Sequence, residues 1–125
     1  MNDEITLTMP RERPFYGVAH LVLGGVAARA DLTLEHLEEF ELALDGLLDR
    51  ADPADEVTLE LRIGEGRLAA ILGPFDSDLG AELASEPGEQ LSLRRLLDAV
   101  VDAYDVARRD DGTWIELRKS FRNGS

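Results

Sequence analysis

Two aspartates with helical spacing are the first residues of this chain that could do chemistry. Asp45 and Asp49 stand four residues apart, at the end of a stretch in which leucines recur every three or four positions. This spacing puts both carboxylates on one face of a helix, where like charges repel each other. Because aspartate oxygens can hold magnesium, the pair is either a solvent-facing part of the helix or what remains of a site.

Other residue types offer little support for catalysis or metal binding. The chain has no cysteine, which excludes disulfides, thiol catalysis and zinc–thiolate sites. Of the two histidines, His20 is expected in a core or helix interface and His36 is expected to be exposed, and no ligand spacing joins them to carboxylates. Three serines lack a sequence context for nucleophilic catalysis: Ser77, Ser85 and Ser92.

Composition and charge indicate a single globular domain, residues 1–125, with a core over about residues 4–121. The net charge of −13 argues against nucleic acid as a direct partner and suits a partner with a basic face, although solubility alone would explain it equally well. Neither a signal peptide nor a bilayer-spanning run is evident. A cytoplasmic location is therefore expected.

The helix that must position the two aspartates has a clear pattern. Thr33 stands where an N-cap belongs. The apolar stripe comprises Leu34, Leu37, Phe40, Leu44 and Leu48.

The remaining periodicities predict five strands and two more helices. Strands are expected at residues 5–9, 57–63, 68–72, 104–108 and 113–118, and helices from residue 15 to about 30 and from 93 to 101. Gly17, Gly24 and Gly25 in the first helix are expected to permit close helix packing, and residues 73–90 are irregular. An α+β two-layer sandwich satisfies this order, with a mixed, mostly antiparallel sheet covered by three helices.

This order resembles the histidine-kinase-like (GHKL) ATPase fold, and specifically the small bacterial anti-sigma serine kinases. Residues 21–29, 32–45 and 96–106, with the closing hairpin through Leu117, carry the resemblance. It implies a homodimer that holds a sigma factor and exchanges it for an antagonist protein, whose serine an active member phosphorylates.

The resemblance also exposes three departures at the nucleotide-binding motifs. The family's second helix ends with a glutamate, the proposed general base, and an asparagine that orients magnesium. The matching positions here are Asp45 and Asp49, and the chain's asparagines, Asn2 and Asn123, lie in the terminal tails. The family's adenine-recognising aspartate is matched by Gly73, with Asp76 three residues late.

The third departure lies in the glycine-rich lid that surrounds the phosphates in the family. The matching approach to the last helix keeps Gly88 and adds the anionic Glu89, while Arg94 and Arg95 are expected to project into solvent.

These departures predict the fold without the enzyme. The favoured hypothesis is an anti-sigma-factor-like protein that acts by binding a sigma factor or its antagonist, with no cofactor, metal or catalytic residue. One alternative is an active serine kinase that uses Asp45 as base, Asp49 for magnesium, and Asp49, Gly73, Asp76 and Gly88 for Mg-ATP. Another is a sensor or scaffold domain whose former nucleotide pocket takes a different ligand or none.

Overall fold

The computed structural model describes residues 3–30, 32–49, 54–64, 66–76, 79, 81, 83 and 93–120. The elements, in chain order, are β1 (Asp3–Pro10), α1 (Arg13–Ala30), α2 (Leu34–Leu48), β2 (Glu56–Gly64), β3 (Arg67–Phe75), α3 (Leu93–Val100), β4 (Ala103–Arg109) and β5 (Gly112–Ser120). This is the predicted α+β order, with most strands one or two residues longer at each end than the alternation indicated. No described helix is long and apolar enough to cross a membrane.

The sheet has the strand order β1-β2-β3-β5-β4, and every neighbouring pair of the described strands is antiparallel. Two tight hairpins account for much of this order, one pairing Gly64 with Arg67 and the other pairing Arg109 with Gly112. Gly112 has a φ of +143°, and an added Cβ would lie 2.8 Å from the Phe75 carbonyl oxygen. Glycine is therefore required at the start of β5.

The core lies between one face of the sheet and the helices. On β2 the predicted alternation is confirmed, because Val57, Leu59, Leu61 and Ile63 are all buried. The buried residues of α2 are Phe40, Ala43, Leu44, Leu47 and Leu48.

The predicted buried stripe of α2 is wrong at one residue. Leu34 is 69% exposed, although the helical pattern put it with the buried residues. It is the first residue of the helix, and side chains in a first turn lean towards the N-terminus, away from the packed turns that follow. The predicted N-cap is confirmed, since the Thr33 side chain accepts a hydrogen bond from the His36 backbone N–H at 3.1 Å.

The helical period of α1 predicts a buried side made of Phe15, Val18, Ala19, Val22 and Val26, and the structure differs from this in part. Its buried residues are Ala19, Leu23, Val26 and Ala27, whereas Phe15 and Val18 are 40% and 39% exposed. The expectation that its glycines permit close helix packing is wrong. Among the described residues, a Cβ added at any of the three meets no atom within 4 Å: Gly17, Gly24 and Gly25. With few charges to mark a polar side, the helix sequence left its orientation ambiguous.

The opposite surface of the sheet, called the open face below, consists of residues that alternate with the core residues. Its central positions are Thr58, Glu60 and Arg62 on β2, Ala69, Ile71 and Gly73 on β3, and Trp114, Glu116 and Arg118 on β5. Long charged side chains lie over this face, and one ion pair joins Arg109 to Glu60 at 3.3 Å. Ile71 and Trp114 are consequently buried although they face away from the helices.

Candidate functional site

Asp45 contacts a histidine on the neighbouring helix. Its Oδ1 lies 2.7 Å from His20 Nε2, so the carboxylate accepts a hydrogen bond across the α1–α2 interface. The other ring nitrogen, Nδ1, lies 3.7 Å from Glu41 Oε2, one helical turn earlier on α2. The His20 and Asp45 side chains are 36% and 40% exposed. The predicted position of His20 in a helix interface is thus confirmed, and the Asp45 carboxylate, which the resemblance matches to a general base, contacts it.

Asp49 closes α2 as its C-cap, with its backbone N–H donating to the Asp45 carbonyl oxygen at 2.8 Å. Its carboxylate oxygen Oδ1 lies 3.3 Å from Arg13 Nη2 at the start of α1. A further hydrogen bond joins the two helices, in which the Tyr16 hydroxyl on α1 donates to the Leu48 carbonyl oxygen on α2 at 2.9 Å. The predicted like-charge pair is therefore part of a polar interface in which both aspartates contact α1.

Gly73 lies against the ring of Trp114. A Cβ at position 73 would come within 3.0 Å of three carbons of the indole. The indole is 5% exposed, its Nε1 donates to Asp111 Oδ1 at 2.8 Å, and the Arg109 guanidinium stacks on it at 4.1 Å from the ring centroid. Trp114 is therefore a packing residue, and the space beside Gly73 is filled.

Gly73 also lies on the face of the sheet that points away from α2. Leu72 belongs to the helix-covered core, and successive strand residues point to opposite faces, so a side chain at 73 would point to the open face. The structure therefore brings Asp45 and Asp49 together at α1, and it does not bring Gly73 to them.

Asp76 follows β3 and is half-buried, and its carbonyl oxygen accepts the Leu79 N–H at 3.3 Å. The preceding residues are held by Arg11, which donates to the carbonyl oxygens of Ala54 and Pro74 and stacks on the ring of Phe75. Several residues named from the sequence lie outside the described residues: Gly88, Glu89, Asn2, Asn123, Ser77, Ser85 and Ser92.

In the described part of the chain, no group of three His, Asp or Glu side chains is arranged to hold a metal ion. His36 is half-buried, so the expectation that it is exposed is wrong. Its Nδ1 is buried and has no hydrogen-bond partner among the described residues.

Sequence reasoning missed the two contacts that decide how this region is interpreted. The i, i+4 spacing of Tyr16 and His20 could have shown that α1 presents a polar edge, but not that Asp45 lies opposite. The contact of Trp114 with Gly73 depends on the register of β3 against β5, which no local pattern reveals.

Comparisons with known proteins agree with the resemblance in the sequence. No family model matches the chain. The serine-protein kinase RsbW of Listeria monocytogenes serovar 1/2a is 26% identical over 129 residues, covering 84% of this chain and 82% of the relative. The serine-protein kinase RsbW of Listeria innocua serovar 6a matches with the same identity and coverage. These matches over most of the chain, together with the α+β fold, support the resemblance to the anti-sigma serine kinase-like family.

Proposed function

We propose that this protein is an anti-sigma-type regulator that binds a sigma factor or an antagonist protein and acts without ATP chemistry. The observation that carries the proposal is the engagement of both α2 carboxylates by α1. Asp45 lies 2.7 Å from His20, and Asp49 lies 3.3 Å from Arg13. To hold magnesium, Asp49 would have to exchange this contact for a metal ion beside a triphosphate, with no amide ligand at its position.

The packing around Gly73 supports the same proposal. Adenine recognition in the resembling family needs a carboxylate at this position, and the indole of Trp114 occupies the space into which such a side chain would extend. The chain therefore lacks the carboxylate acceptor at position 73, and the Trp114 ring fills the space that this side chain would need. A single substitution at position 73 would not clear that space.

The exposed side of α2 offers a surface for a protein partner. Leu34 and Leu42 are 69% and 54% exposed, and Glu38 lies between them at the i, i+4 spacing that makes the three residues neighbours. Exposed leucines interspersed with carboxylates suit a partner that is basic and amphipathic, as the net charge of −13 also favours. We propose this face as the contact, on a protein that acts as a homodimer in the cytoplasm.

A pull-down with the host's sigma factors and antagonist proteins tests the proposal. We expect one of them to be retained by the unaltered chain and lost with Leu42→Lys, because the substitution puts a cation into the proposed contact. Val106→Lys is the matched control, since Val106 is an exposed apolar residue on β4. Retention of neither class of protein would contradict the proposal. Light scattering of the unaltered chain tests the homodimer.

A serine kinase with a rearranged site is the second candidate, favoured by the name of the relatives, serine-protein kinase RsbW. In this case Asp45 would serve as the base and Asp49 would hold magnesium. Calorimetric titration with Mg-ATP separates the two functions. Heat of binding at millimolar nucleotide that disappears with Asp49→Ala would favour the kinase, and no heat would exclude it.

A further inference from the structure

A cavity of about 780 Å³ opens at one end of the sheet, and its lining residues come from the strands and from Asp102. Residues from all five strands contribute to its lining, and the basic ones are Arg62, Arg67, Arg118 and Lys119. Its volume is in the range of cavities that enclose small molecules.

The register of three strands brings the arginines together. Ala69 on β3 pairs with Arg62 on β2 and with Arg118 on β5, so the two arginines stand on either side of an alanine. Directly opposed side chains start about 5 Å apart at their Cβ atoms, which places the two arginine stems roughly 10 Å from each other. Arg67 is two residues from Ala69 on the same strand and projects on the same face. Three arginine side chains therefore start from the same face of the sheet around the small side chain of Ala69.

Small residues on the neighbouring strands leave the side chain of Arg67 accessible. Arg67 is paired with Gly64 on one side and Ser120 on the other, and its own side chain is exposed. Within the described part of the chain, Arg67 makes no ion pair. It is thus available to a ligand without first releasing a carboxylate.

The other two arginines are held in position by carboxylates. Arg62 contacts Glu4 at 3.2 Å and Glu60 at 3.6 Å, and Arg118 contacts Asp105 at 2.6 Å and Glu116 at 3.5 Å. Of these four acids only Glu4 lines the cavity. A guanidinium has five N–H donors in a rigid plane, so each arginine keeps donors beyond those its carboxylates take.

The charge of the lining is opposite to that of the chain. Four basic residues and two acidic ones, Glu4 and Asp102, give the lining a formal charge of 4 − 2 = +2, against −13 for the whole protein. Asp102 accepts the backbone N–H of Ser120 at 2.6 Å, and the buried Lys119 ammonium donates to the Val100 carbonyl oxygen at 2.9 Å. The hydrogen bond from Arg118 to Asp105 raises the pKa of the guanidinium, which keeps its charge at any physiological pH.

We propose that this cavity binds a small phosphate monoester, with the phosphate between Arg62, Arg67 and Arg118. Arginine forks match the oxygens of a phosphate, and the two negative charges of a monoester complement the positive lining. The remaining wall is largely apolar and includes Ile63, Leu68 and Ala103, which suits an ester with an apolar body. The proposal is independent of how the protein binds its regulatory partner.

Backbone amide chemical shifts of the full chain, titrated with phenyl phosphate, test this site. We expect saturable shifts at residues 62, 67, 69 and 118 and tighter binding of phenyl phosphate than of inorganic phosphate, because only the ester carries an apolar body. Arg67→Gln should weaken the binding of both probes roughly tenfold, since a charged hydrogen-bonding group is lost.

Arg108→Gln is the matched control, because Arg108 is an exposed arginine on β4 that does not line the cavity. Thermal unfolding checks that both variants remain folded, and sodium chloride at matched ionic strength checks for general screening. Equal affinity in the unaltered chain and Arg67→Gln would overturn the proposal. Shifts that sodium chloride reproduces, or that spread over the basic residues elsewhere, would overturn it as well.

Discussion

The indole of Trp114 on β5 covers Gly73 on β3 so closely that this position accepts no side chain without rearrangement. The distances from a Cβ at position 73 to three ring carbons would all be under 3.0 Å, shorter than real Cβ contacts. Trp114 cannot easily move aside, because it is hydrogen-bonded to Asp111 and stacked under Arg109. The contact makes Gly73 part of the packing of the open face.

Substitution of Gly73 by alanine tests this contact. Overpacking of a buried site costs about 1–3 kcal/mol, so we expect Gly73→Ala to lower the free energy of unfolding by that amount in urea denaturation. In a Trp114→Ala background the same substitution should cost much less, because the ring that it meets is absent.

Gly25→Ala provides the control for the glycine substitution. Gly25 lies on the exposed side of α1 with no described atom within 4 Å of an added Cβ. Alanine there should raise the free energy of unfolding by about 0.5–1 kcal/mol through helix propensity alone. Equal costs for Gly73→Ala with and without the Trp114 ring would show that the contact has no energetic role.

The contact between His20 and Asp45 should contribute a small, salt-sensitive coupling energy. Both side chains are more than a third exposed, so a double-mutant cycle with His20→Gln and Asp45→Asn should give less than about 1 kcal/mol at low salt. The coupling should shrink in 1 M sodium chloride, where the Debye length is about 3 Å.

The pair of Arg13 and Asp49 is the comparison for that cycle. Its side chains are 80% and 45% exposed and its atoms are 3.3 Å apart, so its coupling energy should be smaller still. A cycle for His20 and Asp45 that yields no coupling at low salt would contradict the interface described for α1 and α2.

Lys119 should stabilise the end of α3. Its ammonium group donates to the Val100 carbonyl oxygen, the last residue of the helix, and the side chain is buried. Lys119→Met keeps most of the side-chain volume and removes the donor, so it should lower the free energy of unfolding by about 1–3 kcal/mol. Arg108→Met, at an exposed site, should change it by less than about 0.5 kcal/mol. Equal effects of the two substitutions in guanidinium denaturation would argue against a helix-capping role.

Two leucines of α2 test which side of the helix is buried. Leu44 is 1% exposed and Leu42 is 54% exposed. Leu44→Ala should cost about 2–5 kcal/mol by leaving a cavity, whereas Leu42→Ala should have little effect on stability. Comparable losses of unfolding free energy would mean that α2 is rotated from the position described.

The sequence was most informative where one periodicity dominated. On β2 each apolar residue alternates with a polar one, and Val57 to Ile63 are buried as the pattern requires. The N-cap at Thr33 was also predicted correctly, since it rests on a local backbone requirement. The buried side of α1 was predicted only in part, because apolar residues and glycines occur on several sides of this helix. The prediction included Val18, which is exposed, and omitted Leu23, which is buried.

The surroundings of the candidate site could not be predicted from the sequence, because they depend on contacts between residues distant in the chain. Under the family resemblance, the identities of Asp45, Asp49 and Gly73 predict which motif positions differ in this chain. Their surroundings depend on the pairing of α1 with α2 and of β3 with β5, and local sequence patterns predict neither pairing. The arginines around Ala69 were missed for the same reason, since each is an ordinary polar residue on its own strand.

Calorimetric titration of the chain with the host's sigma factor, without nucleotide and again with saturating Mg-ATP, tests the central claim most directly. If the protein regulates by contact alone, the complex should form without nucleotide and its dissociation constant should be the same in both titrations. Binding that requires Mg-ATP, or that Mg-ATP strengthens or weakens tenfold or more, would contradict the account.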